Sequence, residues 1–299
     1  MPETHPFPSL TSSETITGPN QEHISNHRFF NIGTFFLSVY GSLRLLFSHH
    51  GPHNNSEEFL NNETPFSSSI IIVLSYWSLF YLLQLGYLYQ FPSNLRASLE
   101  VDWHLSLFNF GHFLWTVFYI KSWYFLAEVV LLLNLLNSLI VYFNHQTYKY
   151  RPFGGDFFNW LFVHLPATVF PLGWLLYAIF WNGAILFGIH EFVGRVISNI
   201  LIWDFLIVPL LFLLLFGDWA VALTQSYFML GVGIGQLFTK LFALQWIFAF
   251  VISGVLFVFS ILVAITGGLP DDRRIPILED VERRTGTGHA EGAPLLGNN

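Results

Sequence analysis

Eight runs of apolar residues follow one another between Phe29 and Thr266, separated by short polar breaks. The hydrocarbon core of a bilayer is about 30 Å thick, so a helix that crosses it needs about 20 apolar residues. Backbone groups in lipid must form their hydrogen bonds within the segment, which favours helices. The strands of a membrane barrel would alternate polar and apolar residues, and these runs do not. The sequence therefore predicts an all-α, polytopic transmembrane helical bundle.

We predict eight spans, with a seven-span alternative in which one of the last three segments is merged or tilted. The third span is short and is joined to the fourth only by Lys121 and Ser122, which predicts a tight hairpin. Pro166 and Pro171 are expected to kink the fifth span, because proline removes a helical hydrogen bond. The predicted spans are Phe29–Phe47, Ser68–Tyr89, Leu105–Ile120, Trp123–Phe143, Trp160–Gly188, Val196–Phe216, Trp219–Leu237 and Leu241–Thr266.

The composition excludes several classes of protein. Hydrophobic residues make up 53% of the chain and charged residues 10%, against about 25% charged in a soluble domain. The net charge of −7 and the lack of a basic stripe give no reason to expect a nucleic acid partner. The chain has no cysteine, which excludes disulfides, thiolate nucleophiles and cysteine metal sites.

The domain organisation follows from where the apolar runs begin and end. We predict a disordered tail over residues 1–28, a transmembrane domain over residues 29–268, and a disordered cytosolic tail over residues 269–299. Lys and Arg are enriched on the cytosolic side of membrane proteins. An even number of spans places eight of the 12 Lys and Arg residues on the side that holds both termini. Both termini are therefore predicted to be cytosolic.

Short motifs lie in the segments outside the spans. Asn54 and Asn62 each begin an N-x-S/T triplet in the loop that the predicted topology places outside or in the lumen, where glycosylation occurs. Glu291, Leu295 and Leu296 have the spacing of an acidic dileucine sorting signal. Such a signal predicts a vacuolar or endosomal membrane, and the alternative is a chance occurrence of a short motif.

Polar and aromatic residues share one face of the second span and one face of the third. The face of the third span combines two imidazoles with large aromatic rings, which is unfavourable against lipid and is expected to face the bundle interior. One interpretation is the wall of a ligand pocket, and the other is a packed interhelical face. The residues are Tyr76, Trp77, Phe80, Tyr81, Gln84 and Tyr87 in the second span, and His104, Phe108, Gly111, His112, Trp115 and Tyr119 in the third.

From these faces we predict a small-ligand site between the second, third and fifth spans. Its candidate residues are Trp77, Gln84, His112, Trp115 and His164, and its candidate ligands are a lipid, a sterol or a tetrapyrrole-like molecule. A non-catalytic scaffold or assembly factor is one alternative, and a membrane-embedded enzyme that uses His, Asp or Glu residues is another. The sequence carries no recognised catalytic or metal motif and assigns no cofactor or oligomeric state.

Two acidic residues fall inside predicted spans, Glu128 in the fourth and Asp204 half way along the sixth. An ionised carboxylate in hydrocarbon costs about 2.5–3.5 kcal/mol on insertion scales, so each is expected to be protonated, paired or near water. Gly231 and Gly235 form a G-x-x-x-G pair in the seventh span, which is typical of close helix packing.

The chain resembles a fungal family of multi-spanning membrane proteins catalogued only as a domain of unknown function. The segments that carry this resemblance are Phe91–Arg96, Trp103–Trp115 and His164–Trp174. A more distant similarity is to the tryptophan-rich sensory/translocator proteins. It rests on Pro65, on Trp77 with Tyr81, and on Asn109 with Trp115. The first resemblance implies a membrane location and no activity, and the second implies a bundle that binds porphyrins or sterols.

Overall fold

The computed structural model describes residues 21–48, 63–90, 95–150, 152, 157–189, 192–239 and 245–266. Regular structure within these ranges is helical throughout. The glycosylation triplets at Asn54 and Asn62 and the motif of Glu291, Leu295 and Leu296 lie outside the described residues. The helices are α1 (Gln21–Leu46), α2 (Ile70–Gln90), α3 (Leu95–Ile120), α4 (Tyr124–Asn144), α5 (Phe157–Leu186), α6 (Phe192–Leu201), α7 (Asp204–Phe216), α8 (Trp219–Thr239) and α9 (Gln245–Thr266), with a short 3₁₀ turn at Thr147–Lys149.

Seven helical segments in the described part of the chain are long and apolar enough to cross a membrane. This finding confirms the prediction of a polytopic helical bundle. The last three predicted spans remain three separate segments, so the merging considered for the seven-span alternative does not occur. Helix α3 is also of membrane length but is not one of these seven segments. Its apolar pattern is interrupted by Asp102, His104, Asn109 and His112.

Side-chain contacts nevertheless show that α3 runs the length of the bundle beside its neighbours. Between α2 and α3, and again between α3 and α4, residue numbers rise on one helix as they fall on the other, so α3 is antiparallel to both. Since α2 and α4 run the same way, α3 is the return traverse between them. The contacts are Gln84 with Asn109, Trp77 with His112, His104 with Asn137, and Tyr119 with Tyr124.

The remaining contacts continue this alternation to the last helix. They make eight traverses in all, counting α6 and α7 as one, within the residues that the structure describes. The start of α1 and the end of α9 therefore lie at the same end of the bundle. The contacts are Ser42 with His112, Glu128 with Asn182, Phe180 with Phe205, Tyr142 with Phe212, Trp160 with Trp219, Tyr177 with Phe228, and Ser226 with Ser253.

Several boundaries differ from those read off the sequence. Helix α1 begins at Gln21, within the predicted disordered tail, and α3 begins at Leu95, although the predicted span begins at Leu105. Both extensions are polar. Apolar runs locate the part of a helix that matches the hydrocarbon, whereas helical hydrogen bonding continues beyond it.

The two proline-containing spans are irregular. In α5 the segment Trp160–Val169 is wound as a wide π-type helix, and the N–H of Phe170 donates to the carbonyl of Leu165, five residues earlier. Pro166 lies inside this wide segment, where its missing N–H removes a bond that a regular helix would need. The predicted sixth span is divided between α6 and α7, which are separated by Ile202 and Trp203.

Large apolar side chains cover the outside of the bundle as well as its core. In α4, for example, Leu132, Leu133 and Leu136 are exposed, whereas Ala127 and Leu131 are buried. An apolar exterior around a packed interior is the arrangement that a bilayer requires. Aromatic rings fill much of the interior, and one group of them lies between α2, α3 and α5.

Candidate functional site

Four aromatic rings from three helices pack together in the middle of the bundle. We call Trp77 of α2, His112 and Trp115 of α3, and Trp174 of α5 the four-ring cluster. The Trp77 and His112 rings are stacked, with centroids 4.0 Å apart. Centroid distances are 5.4 Å from His112 to Trp115, 5.6 Å from Trp115 to Trp174 and 5.0 Å from Trp77 to Trp174. Three of the five predicted ligand-site residues therefore belong to one cluster, in which His112 contacts both Trp77 and Trp115.

Local sequence explains how these rings meet. His112 and Trp115 are three residues apart on α3, and residues at that spacing share a helix face. Trp77 lies on the antiparallel helix α2 and meets His112 because Gln84 and Asn109 fix the register two turns away. All four side chains are at most 6% exposed. The prediction that His112 and Trp115 face protein and not lipid is confirmed.

The ring nitrogens of the cluster are only partly hydrogen-bonded. His112 Nε2 lies 2.9 Å from the Ser42 hydroxyl of α1, which also contacts the Tyr81 hydroxyl at 2.8 Å. His112 Nδ1, Trp115 Nε1 and Trp174 Nε1 are buried and have no hydrogen-bond partner among the described residues. An unpaired buried polar group costs about 1–3 kcal/mol. Three such atoms in one cluster therefore call for an explanation.

Gln84 is not part of the four-ring cluster. It follows Trp77 by seven residues, about 10 Å along a helix. Its amide nitrogen donates to Asn109 Oδ1 at 3.1 Å, and its amide oxygen accepts from Asn109 Nδ2 at 3.0 Å. Both amides are buried. This reciprocal pair joins α2 to α3, as the packed-face interpretation expected.

We expect Gln84→Leu and Asn109→Leu each to destabilise the protein by about 1–3 kcal/mol, because each leaves one buried amide without a partner. The double leucine variant should recover much of that loss, and thermal unfolding in detergent measures all three. Gln245→Leu is the matched control, since the buried amide of Gln245 has no partner among the described residues. Additive losses in the double variant would contradict the pairing.

His164 is paired elsewhere, with an acid that the sequence analysis missed. Its Nε2 lies 3.3 Å from Asp218 Oδ2, and both residues are buried. The other oxygen of Asp218 accepts the N–H groups of Ala220 and Val221 at 3.2 and 3.4 Å. Asp218 is thus the N-cap of α8, and an aspartate directly before a predicted helix was the signal that marked it.

The three intramembrane histidines do not converge on one point. His104 Nδ1 lies 2.7 Å from Asn137 Oδ1, whereas His112 contacts Ser42 and His164 contacts Asp218. No group of three His, Cys, Asp or Glu residues that could hold a metal ion occurs in the described part of the chain. The three imidazoles therefore make three separate contacts, with Asn137, Ser42 and Asp218.

The two predicted intramembrane acids have different surroundings. Glu128 Oε2 accepts a hydrogen bond from Asn182 Nδ2 at 2.8 Å. Asp204 is the first residue of α7 and not the middle of a continuous helix. The partial positive charge of a helix N-terminus favours a carboxylate there. Asp204 still lies about half way along the candidate span Val196–Phe216, as predicted, but that span is divided into two helices just before it.

A further buried acid joins the first three helices. Asp102 of α3 is 1% exposed, and its carboxylate accepts hydrogen bonds from Asn31 of α1 and from Tyr87 of α2. Hydropathy alone placed Asp102 before the third span, so the sequence did not predict that this residue joins three helices. The extended length of α3 is what brings the residue into the bundle.

These features define a class of protein: a polytopic helical membrane protein with a buried aromatic cluster and paired polar groups inside. Comparison with known sequences adds a family likeness. Residues 195–296 match the family described as "Fungal protein of unknown function (DUF1774)". An uncharacterized protein of Schizosaccharomyces pombe is 44% identical over 105 residues, which cover 35% of this chain and 34% of the relative.

The family match agrees with the resemblance to a fungal family of unknown function, but it covers α7, α8 and α9. The segments on which that resemblance was based all precede residue 195. No solved structure matches the chain. The comparisons give no support to a similarity with tryptophan-rich sensory/translocator proteins.

Proposed function

We propose that this protein is an integral membrane protein that binds one small, flat amphipathic molecule at the four-ring cluster. The observation that carries this proposal is the set of three buried, unpartnered ring nitrogens in one aromatic cluster. Aromatic walls with a few polar atoms are typical of small-molecule sites. The bilayer itself is the protein's other partner.

The free nitrogens define the chemistry of the ligand. An indole N–H can only donate a hydrogen bond, so Trp115 and Trp174 call for an oxygen acceptor. The free Nδ1 of His112 donates or accepts according to its tautomer. A carbonyl, carboxylate or hydroxyl oxygen on a flat apolar body meets these requirements. Among the predicted ligand classes, an oxidised sterol or a tetrapyrrole carboxylate has that combination.

Native mass spectrometry of the protein purified in mild detergent tests the proposal. We expect a bound small molecule on the wild-type protein. Replacing both Trp115 and Trp174 with phenylalanine keeps two rings and removes two donors, each worth about 1 kcal/mol. The occupancy of the double variant should fall about tenfold or more.

Trp246→Phe is the matched control, because Trp246 is an indole of α9 that packs on Phe250 and lies outside the four-ring cluster. This variant should retain the ligand at the wild-type level. An unliganded wild-type protein would contradict the proposal. Equal loss of ligand in the control and in the double variant would also contradict it.

We also propose an orientation in the membrane and a location in the cell. Eight alternating traverses support an even number of spans, which puts both termini on one side, and the Lys and Arg distribution favours the cytosolic side. The motif at Glu291, Leu295 and Leu296 favours a vacuolar or endosomal membrane. The division into tails at residues 1–28 and 269–299 around a transmembrane domain at 29–268 is part of the same proposal, with α1 extending to Gln21.

A further inference from the structure

A second polar site lies at the opposite end of the bundle from Asp218, beside the α3–α4 hairpin. Glu128 of α4 is half-buried, and Asn182 of α5 is fully buried. The Asn182 Nδ2 group donates to Glu128 Oε2 at 2.8 Å and to the carbonyl of Tyr124 at 3.1 Å. The amide is therefore held against the carboxylate with a defined orientation.

Two oxygens at this site are left without hydrogen bonds. Asn182 Oδ1 is buried and has no partner among the described residues, and Glu128 Oε1 forms no hydrogen bond to them. Gly183 keeps space open beside the carboxylate, because a Cβ built at Gly183 would meet only Glu128, with its Oε1 3.7 Å away. The site thus combines one carboxylate, one unpaired amide acceptor and local room.

Aromatic residues adjoin this polar group, since Asn182 donates to the carbonyl of Tyr124 and directly follows Trp181. Tyr124 is half-buried and contacts Tyr119, with ring centroids 5.5 Å apart. Tyr119 is stacked on Trp181 at 5.1 Å, and Trp181 directly precedes Asn182. The faces of such rings attract cations. Carboxylate, amide oxygen and aromatic faces all favour positive charge, and the two free oxygens both accept hydrogen bonds.

We propose that Glu128, Asn182 and Tyr124 form a binding site for a primary ammonium group. An ammonium group carries three donors, which can satisfy Glu128 Oε1 and Asn182 Oδ1 together. A quaternary ammonium has no N–H and would leave the amide oxygen unpaired. This site does not share residues with the four-ring cluster. The ammonium proposal therefore does not depend on the ligand proposed for that cluster.

Two sources could supply this group, the head group of phosphatidylethanolamine or a soluble amine. The lipid source is tested by native mass spectrometry of the full-length protein from nanodiscs that contain equal phosphatidylethanolamine and phosphatidylcholine. The soluble source is tested by titrating phenethylamine, and 2-phenylethanol as its neutral analogue, into protein in phosphatidylcholine nanodiscs while following tryptophan fluorescence. We expect about tenfold selectivity for the amine in at least one of the two measurements, since charge-assisted hydrogen bonds are the stronger ones.

Glu128→Gln should abolish that selectivity while keeping the size of the side chain. Gly183→Leu, which leaves every charge in place, should also abolish it by filling the space beside Oε1. Glu63→Gln is the matched control, since Glu63 is a partly buried carboxylate at the same end of the bundle, and it should retain the wild-type selectivity. The absence of amine selectivity from both measurements on the wild type would overturn the proposal, as would selectivity that persists in Glu128→Gln.

Discussion

Replacing Asp218 with alanine is expected to destabilise the folded protein by about 2–4 kcal/mol. The side chain has two roles at once. One oxygen caps α8 through the N–H groups of Ala220 and Val221, and the other faces His164 at 3.3 Å. Losing an N-cap costs about 1 kcal/mol. Leaving a buried imidazole without its partner costs about 1–3 kcal/mol more.

The position of Asp218 explains why it carries both roles. Gly217 ends α7 in the left-handed conformation, with φ of 66°, and Asp218 follows at once as the cap of the next helix. The two helices are therefore joined by only two residues. The wide turn of α5 brings His164 to the same point. Removing the carboxylate consequently affects the α7–α8 turn and the contact between α5 and α8 together.

Asparagine at position 218 separates these contributions. Asn caps a helix about as well as Asp does, so Asp218→Asn should lose only the contact of the charge with His164. We expect the apparent melting temperature in detergent to fall in the order wild type, Asp218→Asn, Asp218→Ala. Asp204→Ala is the control, because Asp204 also begins a helix but is only half-buried. Equal melting temperatures for Asp218→Asn and Asp218→Ala would refute the capping role.

The bundle could be predicted from the sequence because each span has to match the thickness of the hydrocarbon, a property that local composition reports. The helix ends could not be predicted in the same way. Leu95 to His104 is too polar for a hydropathy signal, yet Asp102 is buried there because Asn31 and Tyr87 pair with it. Those partners are distant in sequence and become visible only once three helices are packed together.

The candidate site could be predicted only in part, because its contacts also depend on how different helices pack together. Helical periodicity placed His112 and Trp115 on one face, which the structure confirms as buried. Periodicity says nothing about which residue on another helix lies opposite, so Gln84 was assigned to the ligand although it pairs with Asn109. His164 was grouped with the aromatic residues because it is polar and lies within an apolar span. The register of α5 against α8 instead sets it beside Asp218.

The G-x-x-x-G pair of α8 was predicted as a close-packing signal. Gly231 packs against the side chains of Ser68 and Ile72, whereas the partner of Gly235 is backbone. The carbonyl of Gly231 accepts the N–H of Ser69 at 2.9 Å. A Cβ at Gly235 would lie 3.0 Å from the Ser67 carbonyl oxygen and 3.1 Å from the Ser69 nitrogen. Side chains can rotate away from such a contact, whereas this backbone segment leads directly into α2 and cannot.

Gly235→Leu is therefore expected to destabilise the protein by about 1–3 kcal/mol, the range for overpacking a fitted interior. The segment before α2 has little freedom to retreat, because Gln236 Nε2 also donates to the carbonyl of Thr64 at 2.9 Å. Thermal unfolding in detergent, followed by size-exclusion chromatography, measures the loss.

Gly254→Leu is the matched control. A Cβ at Gly254 would meet nothing within 4 Å, and the residue is exposed on the outside of α9. Leucine there should be neutral or slightly stabilising, because glycine inside a helix costs about 0.5–1 kcal/mol relative to alanine. If the two leucine variants melted at the same temperature, the close approach of α8 to residues 67–69 would contribute nothing to stability. A selective loss in Gly235→Leu would instead show that α8, which lies in the region matched by the family, holds the start of α2 in place through its glycine face.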